Sequence, residues 1–473
     1  MDVRDFRKYG HDLVDWMADF FESIESYPVK SQVKPKDIIN KLPAAAPKEG
    51  ENFADIFEDF QKIILPGITH WQHPKFFAYF PANSSYPSVL GEMLTAALGA
   101  QGMIWQTSPA AAELEERVMD WLRDMIGLPE GYSGVIQDSA SSATLASLLT
   151  AREKWSDYEI NEKGFTPDYN LVLYCSEETH SSIEKGAKIA GFGKERIRKI
   201  EVDDQFAMIP EKLEAAIKKD KQAGFTPCCA VATIGTTGST AVDPLRAVGE
   251  ICKKFDIWLH VDAALAGTAM VIPEHRWMID GVEYADTFVF NPHKWMFTNF
   301  DCSAYFVRDS EALTRTFDIH PEYLKTKEEN EVNNYRDWGV QLGRRFRALK
   351  LWFVIRTYGV EGIRNTVENH INLANEIAGK IDEAPDFERL APVPLNTICF
   401  RYTPKDINDK DELNRINEKL LEAINDTGEA YFTHTTLRGT YTIRFVIGQT
   451  YVEKRHVDEA WELIVRTAHR LTG

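Results

Sequence analysis

A chain of 473 residues is long enough to bury a large core and to form two or three domains or subdomains. Its 54 basic and 72 acidic side chains leave a net charge of −18, which opposes binding to nucleic acid or to an anionic membrane surface. The opening MDVRDFRKYGHDLVDW is charged throughout, no apolar run reaches the length of a membrane span, and six scattered cysteines lack any CxxC spacing, so a soluble cytoplasmic protein with reduced thiols is expected.

The first predicted element covers residues 5–25, where Leu13, Met17, Phe20 and Ile24 recur at helical spacing and Val14 and Phe21 widen the face. The Pro- and Lys-rich stretch 28–52 separates it from the next element, so its apolar side requires cover from another domain or a second subunit. From about residue 134 the rhythm changes. The runs GVIQ (134–137), NLVLYC (170–175), CAVATIG (229–235), IWLHVDAAL (257–265) and TFVFN (287–291) alternate with amphipathic helices such as PLRAVGEICKKF, which sets Val248, Ile251, Cys252 and Phe255 on one face. That alternation predicts βαβ units and a mostly parallel sheet covered on both sides. Helical pattern dominates 344–380. It is followed by strand (398–403), helix (411–425), strand (441–447) and helix (454–471), a smaller C-terminal α+β arrangement. The expected organisation is a helical N-terminal arm over 1–85 packing on a partner subunit, a large α/β domain over 86–360 and a small C-terminal domain over 361–473.

In such sheets ligands bind beyond the carboxyl ends of the strands. Five predicted strand exits carry polar residues: Asp138-Ser139-Ala140-Ser141, His180, Thr236-Thr237, Asp262 and His293-Lys294. Taken singly, each has a bland meaning. Lys294 reads as a turn lysine with its head in water, Asp262 as a cap or salt-bridge partner, the Ser-rich turn as a helix cap and His180 as a capping histidine. Together they supply an amine for a Schiff base, a carboxylate for a pyridinium nitrogen, an imidazole to stack on a ring and a helix start for a phosphate. Those are the grips that pyridoxal 5'-phosphate requires. A different class, a metal-dependent hydrolase using His260, Asp262 and His293, is the rival, but its spacing carries little specificity and the prediction is that no metal is bound.

The chain also resembles the group II pyridoxal-phosphate-dependent decarboxylases, and among them the aromatic-L-amino-acid decarboxylases. The resemblance runs from the N-terminal helix to about residue 465, through HWQHPKFFAYFPANSSYPSVLGEML (70–94), SPAAAELEERVMDWL (108–122), GVIQDSASSATL (134–145), THSSIEKGA (179–187), HVDAALAG (260–267), FNPHKW (290–295), NFDCSAYFV (299–307) and WGVQLGRRFRALKLWFV (338–354). It implies a homodimeric fold-type I enzyme with an aspartate-aminotransferase-like large domain. It further implies Lys294 as the Schiff-base lysine, Asp262 as the partner of the pyridine nitrogen and His180 as the stacked histidine. Ala140, Ser141, Asn291 and His293 match phosphate-binding positions, and Thr237 a position beside the cofactor. Trp71, Tyr79, Phe80 and Pro81 match a wall for the substrate ring, and Gly343 a position that suits a roomy pocket. Met103, Ile104 and Trp105 match a segment reaching the pocket from the other subunit. Tyr323, in the charged stretch HPEYLKTKEENEVNNYRD, matches the tyrosine that protonates the substrate carbon after CO2 leaves. Phe at 323 or Asn at 180 would instead have favoured aldehyde synthase or other chemistry on the same cofactor. Two departures stand out: Leu265 where members usually have tyrosine, and Ala82 where related enzymes often have a hydroxyl residue.

Overall fold

The β-branched runs become strands because the sheet they enter is covered on both faces, which leaves no solvent side for alternating polar residues. The computed structural model describes residues 1–166, 168–319 and 331–472. These fall into two compact units, one comprising 82–378 and 391–399, the other 1–81, 379–390 and 400 onward.

The larger unit holds β1 (Ser133–Gln137), β2 (Leu171–Ser176), β3 (Ile197–Ile200), β4 (Thr226–Thr233), β5 (Trp258–Asp262), β6 (Thr287–Phe290) and β7 (Ser303–Val307). They form one seven-stranded sheet in the order β1-β7-β6-β5-β4-β2-β3. The pairs β2/β3, β2/β4, β4/β5 and β5/β6 are parallel. β7 is antiparallel to both its neighbours, β1 and β6, so those two strands point the same way. Every residue of β2, β5, β6 and β7 is buried. Crossover helices cover the faces. In Leu245–Phe255, Leu245, Val248, Gly249 and Cys252 are buried, and the helix ends where Asp256 turns left-handed at φ 57°. β7 was not among the predicted strands, because SAYFV is short and follows a polar turn rather than a helix.

The helix Tyr86–Leu98 crosses the long helical span Arg347–Glu383 at Gly91, where an added Cβ would stand 2.7 Å from the Cα of Lys350. Beside this crossing Lys350 is fully buried, with its Nζ 2.8 Å from the carboxylate of Glu92. Burial holds the Lys350 ammonium down, at about 8. The opposite side of the same helix exposes Tyr86, Leu90, Met93, Leu94 and Leu98. The predicted helical stretch 344–380 is one span broken at Gly359, whose φ of 66° no continuous helix allows.

The second sheet, ordered β10-β11-β9-β8, contains β8 (Phe387–Arg389), β9 (Thr397–Tyr402), β10 (Thr433–Leu437) and β11 (Thr440–Val446). In the smaller unit, helices Lys410–Asp426 and Lys454–Thr472 accompany these strands. The first 81 residues belong to this unit rather than standing as a separate arm. Backbone pairing accounts for it: Val29 N–H donates to Gly428 O at 2.9 Å, and Phe76 and Tyr431 form a parallel bridge. The helix Val3–Glu22 starts at a capping box in which Asp2 and Asp5 each accept the other's backbone N–H. Its Trp16 packs edge-on against Phe57 and Phe60, yet none of its residues is buried and Phe6 remains 66% exposed. Among the described residues no helix is long and apolar enough to cross a membrane.

Candidate active site

Because β1, β2, β4, β5 and β6 share one direction, their carboxyl ends bring all five predicted exits to one edge of the sheet. Asp262 ends β5 and is buried, with Thr233 beside it on β4 and Val289 on β6. One carboxylate oxygen accepts the N–H of Ala264 at 3.1 Å, which fixes the side chain at the strand end. His180 caps the helix Ser181–Ile189 through Nδ1, which accepts the Ser182 N–H at 3.1 Å. Nδ1 also lies 2.8 Å from the Ser182 hydroxyl. The ring is otherwise exposed. Partial burial holds its pKa below the ordinary histidine range, Asp262 pulls upward and Lys294 pushes down, so the three groups feel one another.

Lys294 sits in the short helix Pro292–Trp295 directly after β6, half-buried between fully buried neighbours. The start of β7 holds this segment in place. Ser303 Oγ donates to Asn291 Oδ1 at 2.6 Å, and Asn291 N–H donates to Ala264 O at 3.0 Å. Cys302 N–H donates to His293 Nδ1 at 2.9 Å, while His293 N–H returns a bond to Cys302 O at 3.2 Å. An Nδ1 that accepts leaves the ring proton on Nε2. Burial, then Lys294 and Lys350, hold the His293 pKa down to about 3, so the ring stays neutral.

At the β1 exit Ser139 caps the helix Ala140–Trp155 by accepting the Ser142 N–H at 3.2 Å. Ala140 and Ser141 occupy the first turn, where backbone N–H groups have no partner within the helix and favour an anion. Asp138 accepts from Gln341 Nε2 at 2.6 Å, and Gln137 Nε2 donates to Trp338 O at 2.9 Å, so the stretch 338–341 is tied to this turn. Thr237 is half-buried at the β4 exit, in a turn closed by Thr240 N–H to Thr236 O at 2.8 Å. Leu265, where a hydroxyl was expected to be missing, is fully buried just beyond Asp262. The amine, carboxylate, imidazole and helix start that suit pyridoxal phosphate thus follow the carboxyl ends of strands that run in one direction in one sheet.

The remaining predicted residues are carried by other segments of the chain. Met103, Ile104 and Trp105 pack beside 334–336 of the same chain, through Arg336 N–H to Met103 O at 2.8 Å and Trp105 N–H to Asn334 Oδ1 at 3.0 Å. Gly343 is exposed next to Gln101. Trp71, Tyr79, Phe80 and Pro81 belong to the smaller unit, where Trp71 stacks on Tyr79 at 5.6 Å. Tyr323 lies outside the described residues. His260 is not available as a metal ligand: its Nε2 and Nδ1 lie 3.2 Å and 2.9 Å from the hydroxyls of Thr144 and Thr287 in the core. Sequence reasoning passed over Ser303, Cys302 and Gln341 as holders of the site. The available signal was the polar Asp301-Cys302-Ser303 immediately ahead of an apolar run.

Sheet order and site together define a fold-type I pyridoxal-phosphate enzyme. The model of the pyridoxal-dependent decarboxylase conserved domain matches residues 35–403, and the chain belongs to that family. A phenylacetaldehyde synthase of Arabidopsis thaliana is 45% identical over 481 positions, spanning 100% of this chain and 97% of that protein. Tyrosine decarboxylase 4 of Petroselinum crispum is 44% identical, with 98% and 93% covered. The crystal structure of Oryza sativa TDC with PLP and tryptamine superposes with a TM-score of 0.97 at 36% identity, covering 100% of this chain and 99% of that one. The protein is a carboxy-lyase whose cofactor is pyridoxal 5'-phosphate.

The neutral state of His293 makes a prediction about acid stability. Its folded value, about 3, lies below the ordinary 6.5, so its contribution to stability is present above 6.5 and is lost as pH falls toward 3. Across that window the unfolded chain binds one proton more, worth about 1.4 kcal/mol per pH unit. His293→Asn keeps an acceptor for the Cys302 N–H but does not titrate. Urea unfolding of the cofactor-free protein at several pH values is expected to show the slope reduced by that amount. An unchanged slope would mean that His293 protonates in the folded protein.

Proposed function

We propose that the enzyme removes the α-carboxylate of an aromatic L-amino acid, tryptophan, tyrosine, phenylalanine or a hydroxylated derivative, to give the arylalkylamine and CO2. The observation that carries it is the convergence of Lys294, Asp262 and His180 at the carboxyl edge of the sheet, within a family of decarboxylases. Bound pyridoxal phosphate supplies an electron sink for the pair left behind when the carboxylate departs. Lys294, through Nζ, would be the residue that holds the cofactor. Asp262, anchored at the end of β5, holds a proton at the ring nitrogen, and that charge-assisted contact keeps the ring electron-poor. His180 would be the residue available to stack on the cofactor's ring. Ala140, Ser141, Asn291 and His293 seat the phosphate, with Thr237 beside it. Trp71, Tyr79, Phe80, Pro81 and Gly343 shape the space for the substrate's aromatic group. Tyr323 delivers a proton to Cα.

The state we propose is a homodimer, working in the cytoplasm with its six cysteines reduced, and all six are buried and outside any disulfide. Two apolar surfaces support the dimer. Tyr86, Leu90, Met93, Leu94 and Leu98 form an exposed stripe on one helix, and Val3, Phe6 and Val14 are exposed on the N-terminal helix. Stripes of this kind on a soluble enzyme call for a covering surface. A second subunit would also bring Met103, Ile104 and Trp105 to its neighbour's pocket.

Similarity to a phenylacetaldehyde synthase keeps a second outcome in view, oxidative release of an aldehyde. His180 and Tyr323 favour simple decarboxylation.

Lys294→Ala is expected to abolish amine formation and the visible absorbance of the bound cofactor while leaving the fold intact. Amine production at the wild-type rate would refute the assignment. With Tyr323→Phe, substrate should still bind but protonation at Cα should fail, so that O2 is consumed and arylacetaldehyde, ammonia and hydrogen peroxide replace the amine. Wild-type enzyme should release amine and CO2 in equal amounts; amine from the variant at an undiminished rate would assign the proton to another group. Sedimentation of the active enzyme should give twice the chain mass of 53.9 kDa, and a fully active monomer would remove the dimer from the scheme.

A further inference from the structure

Tyr79 stands out in the smaller unit as a bulky residue in the left-handed backbone region, at φ 53°, with its side chain 47% exposed. A non-glycine residue stays there only when its surroundings hold it. Its hydrogen-bonding neighbours come from one distant stretch of chain, residues 431–433. Phe77 N–H donates to Tyr431 O at 2.9 Å, and Tyr431 N–H donates to Lys75 O at 3.2 Å, so residues 75–77 are stitched to residue 431. Two residues on, the Tyr79 N–H leaves this pattern and donates to the side-chain Oγ1 of Thr433 at 3.0 Å. Thr433 Oγ1 also accepts from Arg444 Nη1 at 3.2 Å, and the guanidinium of Arg444 lies over the Phe80 ring, 5.3 Å from its centroid. At the other end of the side chain the Tyr79 hydroxyl is 3.4 Å from that of Tyr431. The Tyr431 ring meets Tyr79 and Phe76 edge-on at 6.1 and 5.6 Å.

Tyr79 is thereby gripped at both ends, by Thr433 at the backbone and by Tyr431 at the hydroxyl, while one side of its ring stacks on Trp71. Packing alone would not require either oxygen, since phenylalanine and valine would fill the same volumes. We infer that Tyr431 and Thr433 are positioning residues for the aromatic wall, fixing the Tyr79 ring against Trp71 and so setting how tightly a substrate's aromatic group is held. This rests on the assignment of Trp71 and Tyr79 to the substrate wall. The two residues touch neither cofactor nor reacting atoms, so they act on substrate binding rather than on chemistry.

The test uses the holoenzyme with L-tyrosine, L-tryptophan and L-phenylalanine, the variants Y431F, T433V and T433S, and crystal structures of wild type and T433V. Y431F, which deletes one oxygen, should raise KM for the best substrate about fivefold, the effect of losing one hydrogen bond, and leave kcat within about twofold. Cofactor affinity should not move. T433V should raise KM likewise and let Tyr79 relax out of the left-handed region, and T433S should restore both. If KM changes by less than about 1.5-fold in both Y431F and T433V, well under one hydrogen bond, or if Tyr79 keeps its backbone in T433V, the positioning role is refuted. It is equally refuted if kcat, KM and cofactor affinity fall together and T433S does not restore them, because that is the signature of a general structural part. A wild-type enzyme that makes no amine from any of the three amino acids would instead overturn the proposed reaction, and the Tyr79 backbone in T433V would still decide the positioning.

Discussion

β7 runs against the other strands of the central sheet, and the hydrogen bonds at its start hold the chain that leaves β6. Ser303 grips Asn291 and Cys302 grips His293, on either side of Pro292 and one residue short of Lys294. A segment carrying a lysine next to a buried histidine would be poorly determined by its own preferences, because an ammonium seeks water and a four-residue helix has too few internal bonds to persist. The antiparallel return supplies the missing constraint. It donates to the turn's own side-chain acceptors, Asn291 Oδ1 and His293 Nδ1, so Lys294 emerges at a fixed point on the carboxyl edge. Asp262, one strand away, is anchored there by its own neighbour Ala264.

Lys350 and Lys294, two lysines of this unit, show how burial is matched to task. Lys350 is fully enclosed and sits against Glu92, so its charge is neutralised locally, in a pair whose separation would leave an uncompensated buried charge. Lys294 is only half-buried, in a helix that presents it to the edge where His180 is exposed. His293 and His260 are both neutral and enclosed, but for different ends. His260 spends its nitrogens on core hydroxyls, whereas His293 spends Nδ1 on the β7 turn and keeps a proton on Nε2. Similar side chains within one fold are thus sorted by their hydrogen-bond partners, not by residue type.

In the smaller unit the same economy places an aromatic cluster. Phe76, Tyr79 and Phe80 lie within five residues of one another, but their orientation is set from Tyr431, Thr433 and Arg444. Backbone pairing to residues 428 and 431 also draws the first 81 residues into one compact unit with the C-terminal strands and helices. The expected arm over 1–85 described the sequence spacing well, since the Pro- and Lys-rich stretch does separate its helix from the next. It could not show that the pairing partners lay at the far end of the chain.

By itself the sequence determined the parallel α/β core, the strand exits and the candidate groups on them. Fully buried parallel strands must be continuous apolar runs, and polar residues are tolerated only where those runs end. Asp262, His180 and Lys294 were legible for that reason, since each interrupts or follows such a run. Tertiary structure alone decided what holds them. β7, at five residues with a polar turn ahead of it, has no period of its own long enough to announce a strand, and its antiparallel insertion between β1 and β6 is a matter of sheet order. The roles of Ser303, Cys302, Tyr431 and Thr433 are side-chain bonds to chain segments 9 to 354 residues away, depending on the pair. Spacing along a sequence carries periodicity within an element, but contacts of that range arise only when the sheet and the strand pairings have closed.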